Sequence, residues 1–459
     1  MEVLPRLMAD AAPDHAAGST ALRRQADASD RVTTLTMSPT TAWTTTTAWT
    51  LSAPDDEALR ARARQLLDHL TEHAPDPADI GRELAQEQAR AAFEYRAAIV
   101  GENREDMAAA LAALGRGRPH PALERGRADD RADVVFVFPG ESASWPGMGA
   151  GLLETSAVFA RRMQECAEAL APWTDWDLLE AVRRTDADPL EPFEVAHPVQ
   201  WAVAVSLAEL WKSFGVMPAA VVGHSRGELA AAVVAGAVGL DEGAFQIARR
   251  ARLLAGSDLF DRGAMAAVGL PEEQLAPYLE HEEGVWLAAV NGPVQVVLSG
   301  DPAAVDRVAG RLRADDVPVL PVDSLYASHS GHIEALAAEL AGDARFEKSA
   351  VPWYSTVTGT PVAARDLDGA YWYRNLRNTV RFEPAVRALL ADGFRTFVEV
   401  GGSPVLLGEI AQTAHVNRIP DVLCVGSLRR GEGGMARMLR SAGRLWAGGG
   451  SVDWPTVLD

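Results

Sequence analysis

The sequence predicts an α/β protein: a doubly wound parallel sheet that carries an inserted smaller sheet and is preceded by a separate small α/β unit. Three observations carry that expectation. The run Val134-Val135-Phe136-Val137-Phe138 is apolar at every position, the pattern of a strand buried on both faces within a parallel sheet. Strand and helix signals alternate through most of the chain beyond it, as the crossovers between parallel strands require. Residues 219–237, AAVVGHSRGELAAAVVAGA, pass from a β-branched strand signal through Gly223-His224-Ser225-Arg226-Gly227 into an alanine-rich helix.

Composition sets the frame for these elements. A chain of 459 residues, 48% hydrophobic and 23% charged, is an ordinary globular sequence with room for two or three domains. A net charge of −20 without a basic stripe argues against nucleic acid as a partner. The two cysteines, Cys166 and Cys424, are far apart and lack metal-ligand spacing, so a reduced cytoplasmic protein with no metal site is expected. No window approaches eighteen uninterrupted apolar residues and no signal-peptide pattern opens the chain, so a membrane is not expected as a partner.

Taken in order, residues 1–47, threonine-rich over 33–47, read as a flexible leader. Strands over 49–53 and 95–101 with helices over 55–70, 80–93 and 104–114 make a small α/β unit, 48–123. Residues 115–131, rich in Gly, Pro, Arg and Asp, read as a linker. The main body is assigned to 132–262 and 325–459. It opens with the 134–138 strand, continues with helices over 154–170 and 198–214, and reaches the serine turn. Between its halves, 263–324 shows strands over 265–270, 286–291, 295–300 and 317–322 around helices over 271–280 and 302–314. That β-α-β-β-α-β order is a ferredoxin-like split βαβ, expected to roof the sheet and form a cleft. A helix over 331–341, strands over 351–357, 396–400 and 422–426, and helices over 383–392 and 435–446 complete the chain.

The serine turn carries the chemistry. In G-x-S-x-G between strand and helix, the serine sits on a strained elbow, and the flanking glycines are needed because side chains there would collide. The next helix aims its free N–H groups at charge developing near Ser225. In a doubly wound sheet, reactive groups gather at the carboxyl ends of the strands, where Glu141 and Ser225 both lie.

With these residues in view, the chain resembles the acyltransferase domain of modular polyketide synthases and, more distantly, the malonyl-CoA:acyl carrier protein transacylase of fatty-acid synthesis. The resemblance rests on Phe138-Pro139-Gly140, Gly223-His224-Ser225-Arg226-Gly227-Glu228, Arg250, Asn291-Gly292-Pro293, Tyr326-Ala327-Ser328-His329, Tyr371-Trp372-Tyr373-Arg374-Asn375-Leu376 and Val398-Glu399-Val400, in that order. It implies an α/β-hydrolase-like core with a ferredoxin-like subdomain. The unit over 48–123 is similar to the linker that joins ketosynthase to acyltransferase in those synthases. With no ketosynthase ahead of it, the resemblance suggests a free-standing, trans-acting enzyme and a monomer.

The resemblance also implies roles. Ser225 is the nucleophile and His329 its general base, with the other ring nitrogen held by the backbone carbonyl of Asn375. Arg250, 25 residues beyond the serine, grips the free carboxylate of the acyl group, a task for which a planar guanidinium is suited. The backbone N–H groups of Glu141 and Arg226 form the oxyanion hole, and His224 supports the elbow. The donor is an acyl-CoA and the acceptor is the phosphopantetheine thiol of an acyl carrier protein, with no bound cofactor. Tyr326 and Ser328 belong to a signature similar to that of methylmalonyl-selecting domains. Departures fall at Arg226 and His197, each where the family has Gln, and at Glu141, where a pairing with Arg226 is expected. An α-substituted malonyl group is therefore favoured over malonyl, and an unusual carrier-bound acyl group stays open. A hydrolase of carrier-bound thioesters and a weakly active docking module are the alternative functions.

Overall fold

The computed structural model describes residues 46–73, 75–90, 92–129, 131, 133–140, 143–185, 193–260, 262–342 and 344–459. The expected leader falls on residues 1–45 outside that set, and its last residue, Thr47, instead opens the first strand.

Three antiparallel strands, β1 (Thr47–Ala53), β2 (Tyr95–Gly101) and β3 (Leu123–Arg127), form the small N-terminal sheet in the order β1-β2-β3. β3 lies within the stretch read as a linker. Only Leu123 of its five residues is buried, so an edge strand of Glu, Gly and Arg carries no hydrophobic alternation to reveal it. Helices Asp56–His73 and Arg104–Gly115 pack on one face through Leu59, Ala63, Met107 and Leu111. The Met435–Ala447 helix packs against β2 and β3. A Cβ on Gly126 would lie 2.6 Å from the Ala447 carbonyl oxygen, so that glycine admits the close approach.

The main sheet has six strands in the order β11-β10-β5-β4-β13-β14. These are β4 (Val134–Phe138), β5 (Pro218–Gly223), β10 (Trp353–Ser355), β11 (Thr360–Pro361), β13 (Thr396–Glu399) and β14 (Leu423–Gly426). All but β11 run parallel, and every residue of β4 is buried, as its apolar run requires. The helix expected over 154–170 is two, Ala150–Thr155 and Ala157–Leu170, because Ser156 leaves helical geometry and caps the second by accepting from the Phe159 N–H. The helix ahead of the elbow, Phe193–Ser213, is longer than expected and takes Pro198 into its interior.

The inserted subdomain contains β6 (Ala264–Val268), β7 (Val285–Gly292), β8 (Gln295–Gly300) and β9 (Val319–Val322) in the order β7-β8-β6-β9, all antiparallel, which is the ferredoxin-like arrangement. A fifth strand, β12 (Val380–Arg381), joins parallel to β7. It comes from far beyond 263–324, so the small sheet is completed by the main body. The helices expected over 271–280 and 331–341 each form as a 3₁₀ turn followed by one short helical turn. In the first, Pro277 lacks the backbone donor that a continuous helix would aim at the Glu273 carbonyl.

Candidate active site

The serine elbow lies between β5 and the Gly227–Ala235 helix, and its strain is visible. Ser225 has φ +52, a left-handed conformation rare outside glycine. A Cβ on Gly223 would lie 2.3 Å from the Glu228 nitrogen, and one on Gly227 would lie 2.2 Å from the Phe138 carbonyl oxygen. Both contacts are with backbone, so neither can yield. The His224 N–H donates to the Phe138 carbonyl at 2.8 Å, locking the elbow to β4. The His224 ring is half-buried, with Nε2 2.8 Å from Asn291 Oδ1 on β7, and its desolvation lowers its proton affinity. It therefore braces the elbow against the inserted subdomain.

His329 also adopts a left-handed backbone conformation, φ +57. Its Nε2 lies 2.8 Å from Ser225 Oγ, and its Nδ1 lies 2.8 Å from the carbonyl oxygen of Asn378. A carbonyl only accepts, so Nδ1 carries the proton and Nε2 is left to accept from the serine hydroxyl. The acceptor differs from the expected one, the carbonyl of Asn375. Asn375 sits inside the Tyr371–Arg377 helix, whose carbonyls point along its axis. Asn378 is the first residue beyond it, and its extended backbone (ψ 161) turns the carbonyl toward the ring. Burial first, and then the positive charge of Arg250, push the His329 pKa down to about 3. The imidazole is thus held neutral, the form a general base needs.

Asn375 contributes its side chain instead. Its Oδ1 accepts from Arg250 Nη1 at 2.8 Å, while Nδ2 donates to the Ser225 carbonyl at 3.0 Å and to Glu228 Oε2 at 3.2 Å. One amide therefore joins the guanidinium, the nucleophile's backbone and a buried carboxylate. Arg250, on the Leu240–Ala255 helix, is only 3% exposed. Glu228 is fully buried and accepts also from Tyr371 Oη at 2.7 Å and Thr356 Oγ1 at 2.9 Å. Burial pushes its pKa up to about 7. Sequence reasoning places Glu228 within the motif but gives it no role. The available signal is a lone carboxylate in a helix otherwise made of glycine, alanine, leucine and valine.

Arg226 opens the Gly227–Ala235 helix, and its guanidinium donates to Gln200 Oε1. Gln200 Nε2 in turn donates to the Gly140 carbonyl, so a single buried amide ties the residue after the nucleophile to the loop after β4. Glu141 lies outside the described residues, and the expected Glu141 to Arg226 pairing falls there with it. His197, Gln200, Arg226 and Ile247 line one small cavity beside the elbow. His197 is buried, and burial followed by the charges of Arg226 and Arg250 hold its pKa well below the usual imidazole value. Tyr326 meets it indirectly: Phe193 packs on the His197 ring at 3.7 Å and edge-on against Tyr326 at 5.6 Å. Ser328 is turned toward the inserted subdomain, its Oγ 3.3 Å from Met265 Sδ.

Among the described residues no group of three or more His, Cys, Asp or Glu is placed to hold a metal ion, and no helix is long and apolar enough to cross a membrane. Burial raises both cysteine thiols to about 12, which leaves them unreactive.

Comparison with known proteins bears on the same residues. The family model described as acyl transferase domain matches residues 135–451. The polyketide synthase GfsB of Streptomyces halstedii is 46% identical over 418 residues, spanning 88% of this chain but 7% of its own length. The chain spans 5% to 26% of the relatives at this level of similarity. Among solved structures, the acyltransferase domain from module 8 of the salinomycin polyketide synthase matches with a TM-score of 0.85 at 42% identity, covering 90% of this chain and 98% of that one. The acyltransferase domain of SpnD, solved in complex with 2-(pent-4-yn-1-yl)malonyl, matches with a TM-score of 0.77 at 27% identity, covering 88% and 96%.

Proposed function

The chain belongs to the acyl transferase domain family found in modular polyketide synthases, and from that membership we propose that it transfers a malonyl-type acyl group from coenzyme A to an acyl carrier protein through an ester on Ser225. The observation that carries this reading is the 2.8 Å contact between Ser225 Oγ and a neutral, buried His329 Nε2, with Arg250 tethered to the same elbow through Asn375. Ser225 Oγ attacks the thioester carbonyl while its proton passes to His329 Nε2. The Arg226 N–H, at the helix N-terminus, is the donor we assign to the oxyanion; such a donor contributes about 3 kcal/mol in comparable sites. The carbon–sulfur bond breaks, the coenzyme A sulfur takes the proton from His329, and the acyl group remains on Ser225. In the second half-reaction, His329 takes the proton of the phosphopantetheine thiol, the sulfur attacks the ester, and the proton returns to Ser225.

Arg250 is the group we assign to the free carboxylate, with two parallel hydrogen bonds as its geometry allows. No bound cofactor enters this scheme, because coenzyme A and phosphopantetheine are substrates. An α-substituted malonyl group, methylmalonyl in the first instance, is the favoured cargo. Support comes from the Tyr326 and Ser328 signature and from the substituted malonyl group in the SpnD complex.

The test is intact-mass analysis of the chain after exposure to methylmalonyl-CoA, malonyl-CoA and propionyl-CoA, with and without a phosphopantetheinylated carrier. A stable adduct lost in Ser225→Ala and discharged by the carrier is the expected result. Rapid release of free acid would make the protein a thioester hydrolase, and failure of every donor to form an adduct would sink the reading.

A further inference from the structure

The charge of this chain is unevenly distributed between its segments. Residues 263–324, the inserted subdomain, hold ten carboxylates against three arginines. Arg307 and Arg311 are both paired with Glu282, and Glu272 pairs with Arg381 of the main body, while Glu273, Glu280, Glu283, Asp306, Asp316 and Asp323 are exposed. Residues 427–444 hold five arginines against one carboxylate. In a chain of net charge −20 this stretch is one of several positive segments, 116–127 and 374–387 each holding four arginines against one carboxylate, and its place in the fold sets it apart.

Its position is set by the topology. β5, β4, β13 and β14 are adjacent and parallel, so their carboxyl ends form one rim. Ser225 lies just after β5, Gly140 after β4, and Arg429 and Arg430 after β14, three strands and about 14 Å from β5 at the usual strand spacing. The rim is knitted together: Trp145 Nε1 donates to the Gly402 carbonyl at 2.7 Å, and Arg430 Nη2 lies 3.5 Å from the Ser144 carbonyl. Beyond the exposed Arg429 and Arg430, the half-buried Arg437 and Arg440 and the exposed Arg444 follow on one face of the Met435–Ala447 helix, where Glu124 of β3 lies 4.0 Å from Arg444. Glu432, paired with Arg440 at 2.8 Å and Arg437 at 3.8 Å, is the single carboxylate within the segment.

We propose that this arginine rim, centred on Arg429 and Arg430, is where the acyl carrier protein docks, by a carboxylate-rich face that sets its phosphopantetheine arm over Ser225. The proposal rests on the transfer reaction above. Charge selects the occupant: a carboxylate-rich partner is repelled by the inserted subdomain and attracted to the arginine rim. The arginines along the helix span about 10 Å at its rise per residue, beyond the loop pair. That length suits a protein face better than the compact phosphates of coenzyme A.

The two half-reactions make this testable in the full chain. In Arg429→Glu/Arg430→Glu, acylation of Ser225 by methylmalonyl-CoA without carrier should stay within about two-fold of the native rate. Transfer to a phosphopantetheinylated carrier should lose about ten-fold or more in kcat/KM, with Arg429→Gln/Arg430→Gln between the two. The decline of that transfer with added salt should flatten in the charge-reversed variant. Unchanged transfer would overturn the proposal. So would an equal loss in the carrier-free half-reaction, which would assign the rim to coenzyme A phosphates. A native chain that forms no acyl-enzyme would overturn the proposed function first, and this surface's partner with it.

Discussion

Replacing Asn375 separates substrate selection from nucleophile chemistry. The side chain accepts from Arg250 at 2.8 Å and donates to the Ser225 carbonyl and Glu228, so it fixes the guanidinium relative to the nucleophile. A hydrogen bond to a charged group contributes about 1.5–3 kcal/mol, which corresponds to about 10- to 150-fold in rate when it orients a group the transition state needs. Asn375→Asp keeps the shape but sets a carboxylate against Arg250, which then competes with the carboxylate of the substrate. Asn375→Leu removes the tether. Methylmalonyl-CoA and propionyl-CoA differ only by the free carboxylate, so single-turnover release of coenzyme A from each isolates the effect. Both variants should lose about 10- to 100-fold in kcat/KM with methylmalonyl-CoA and no more than about three-fold with propionyl-CoA. A proportional loss with both donors would mean that Asn375 merely maintains the elbow, and the tether argument would fail.

The same geometry sets three further outcomes. Because burial and then Arg250 hold the His329 pKa down to about 3, Ser225 acylation at limiting donor should stay flat down to about pH 5, where a free imidazole near 6.5 would already be protonated. Removing the positive charge in Arg250→Leu should shift the acid limb upward with propionyl-CoA as donor, and a native limb near 6.5 would contradict the assignment. Glu228, Glu399 and Glu409 are each raised to about 7 by burial, so the fold retains their protons where the unfolded chain has released them. Stability from these groups is lost as pH rises from about 4.5 through 7, whereas the depressed His197, His224 and His329 remove stability as pH falls below about 6.5. Thermal melts should therefore decline from about pH 6.5 to 8.5, less steeply in Glu409→Gln; a rise over that range would refute the account. Gly227→Ala forces a Cβ to 2.2 Å from the Phe138 carbonyl oxygen, and should reduce stability by about 3 kcal/mol in urea titration; a loss under about 1 kcal/mol would show that the elbow can relax.

The sequence by itself determined whatever depends on local pattern. The apolar run at 134–138 formed the doubly covered strand its pattern predicts, and strands over 95–101 and 295–300 and the helix over 302–314 emerged with their expected limits. Gly223 and Gly227 announced an elbow because their reason is local collision. Where polar edge residues or prolines diluted the pattern, as in β3 and in 271–280, hydrogen bonding to a neighbouring strand or the loss of backbone donors decided the outcome. Only the tertiary structure decided that the carbonyl facing the His329 ring belongs to Asn378, since that depends on where the Tyr371–Arg377 helix ends in space. The same holds for the Asn375 bridge, the Arg226 to Gln200 to Gly140 relay, and the strand that β12 lends to the inserted sheet. Each joins residues 26 to more than 100 positions apart. Spacing along a chain constrains contacts within a turn or a helix, but it does not fix the separation of side chains brought together by packing.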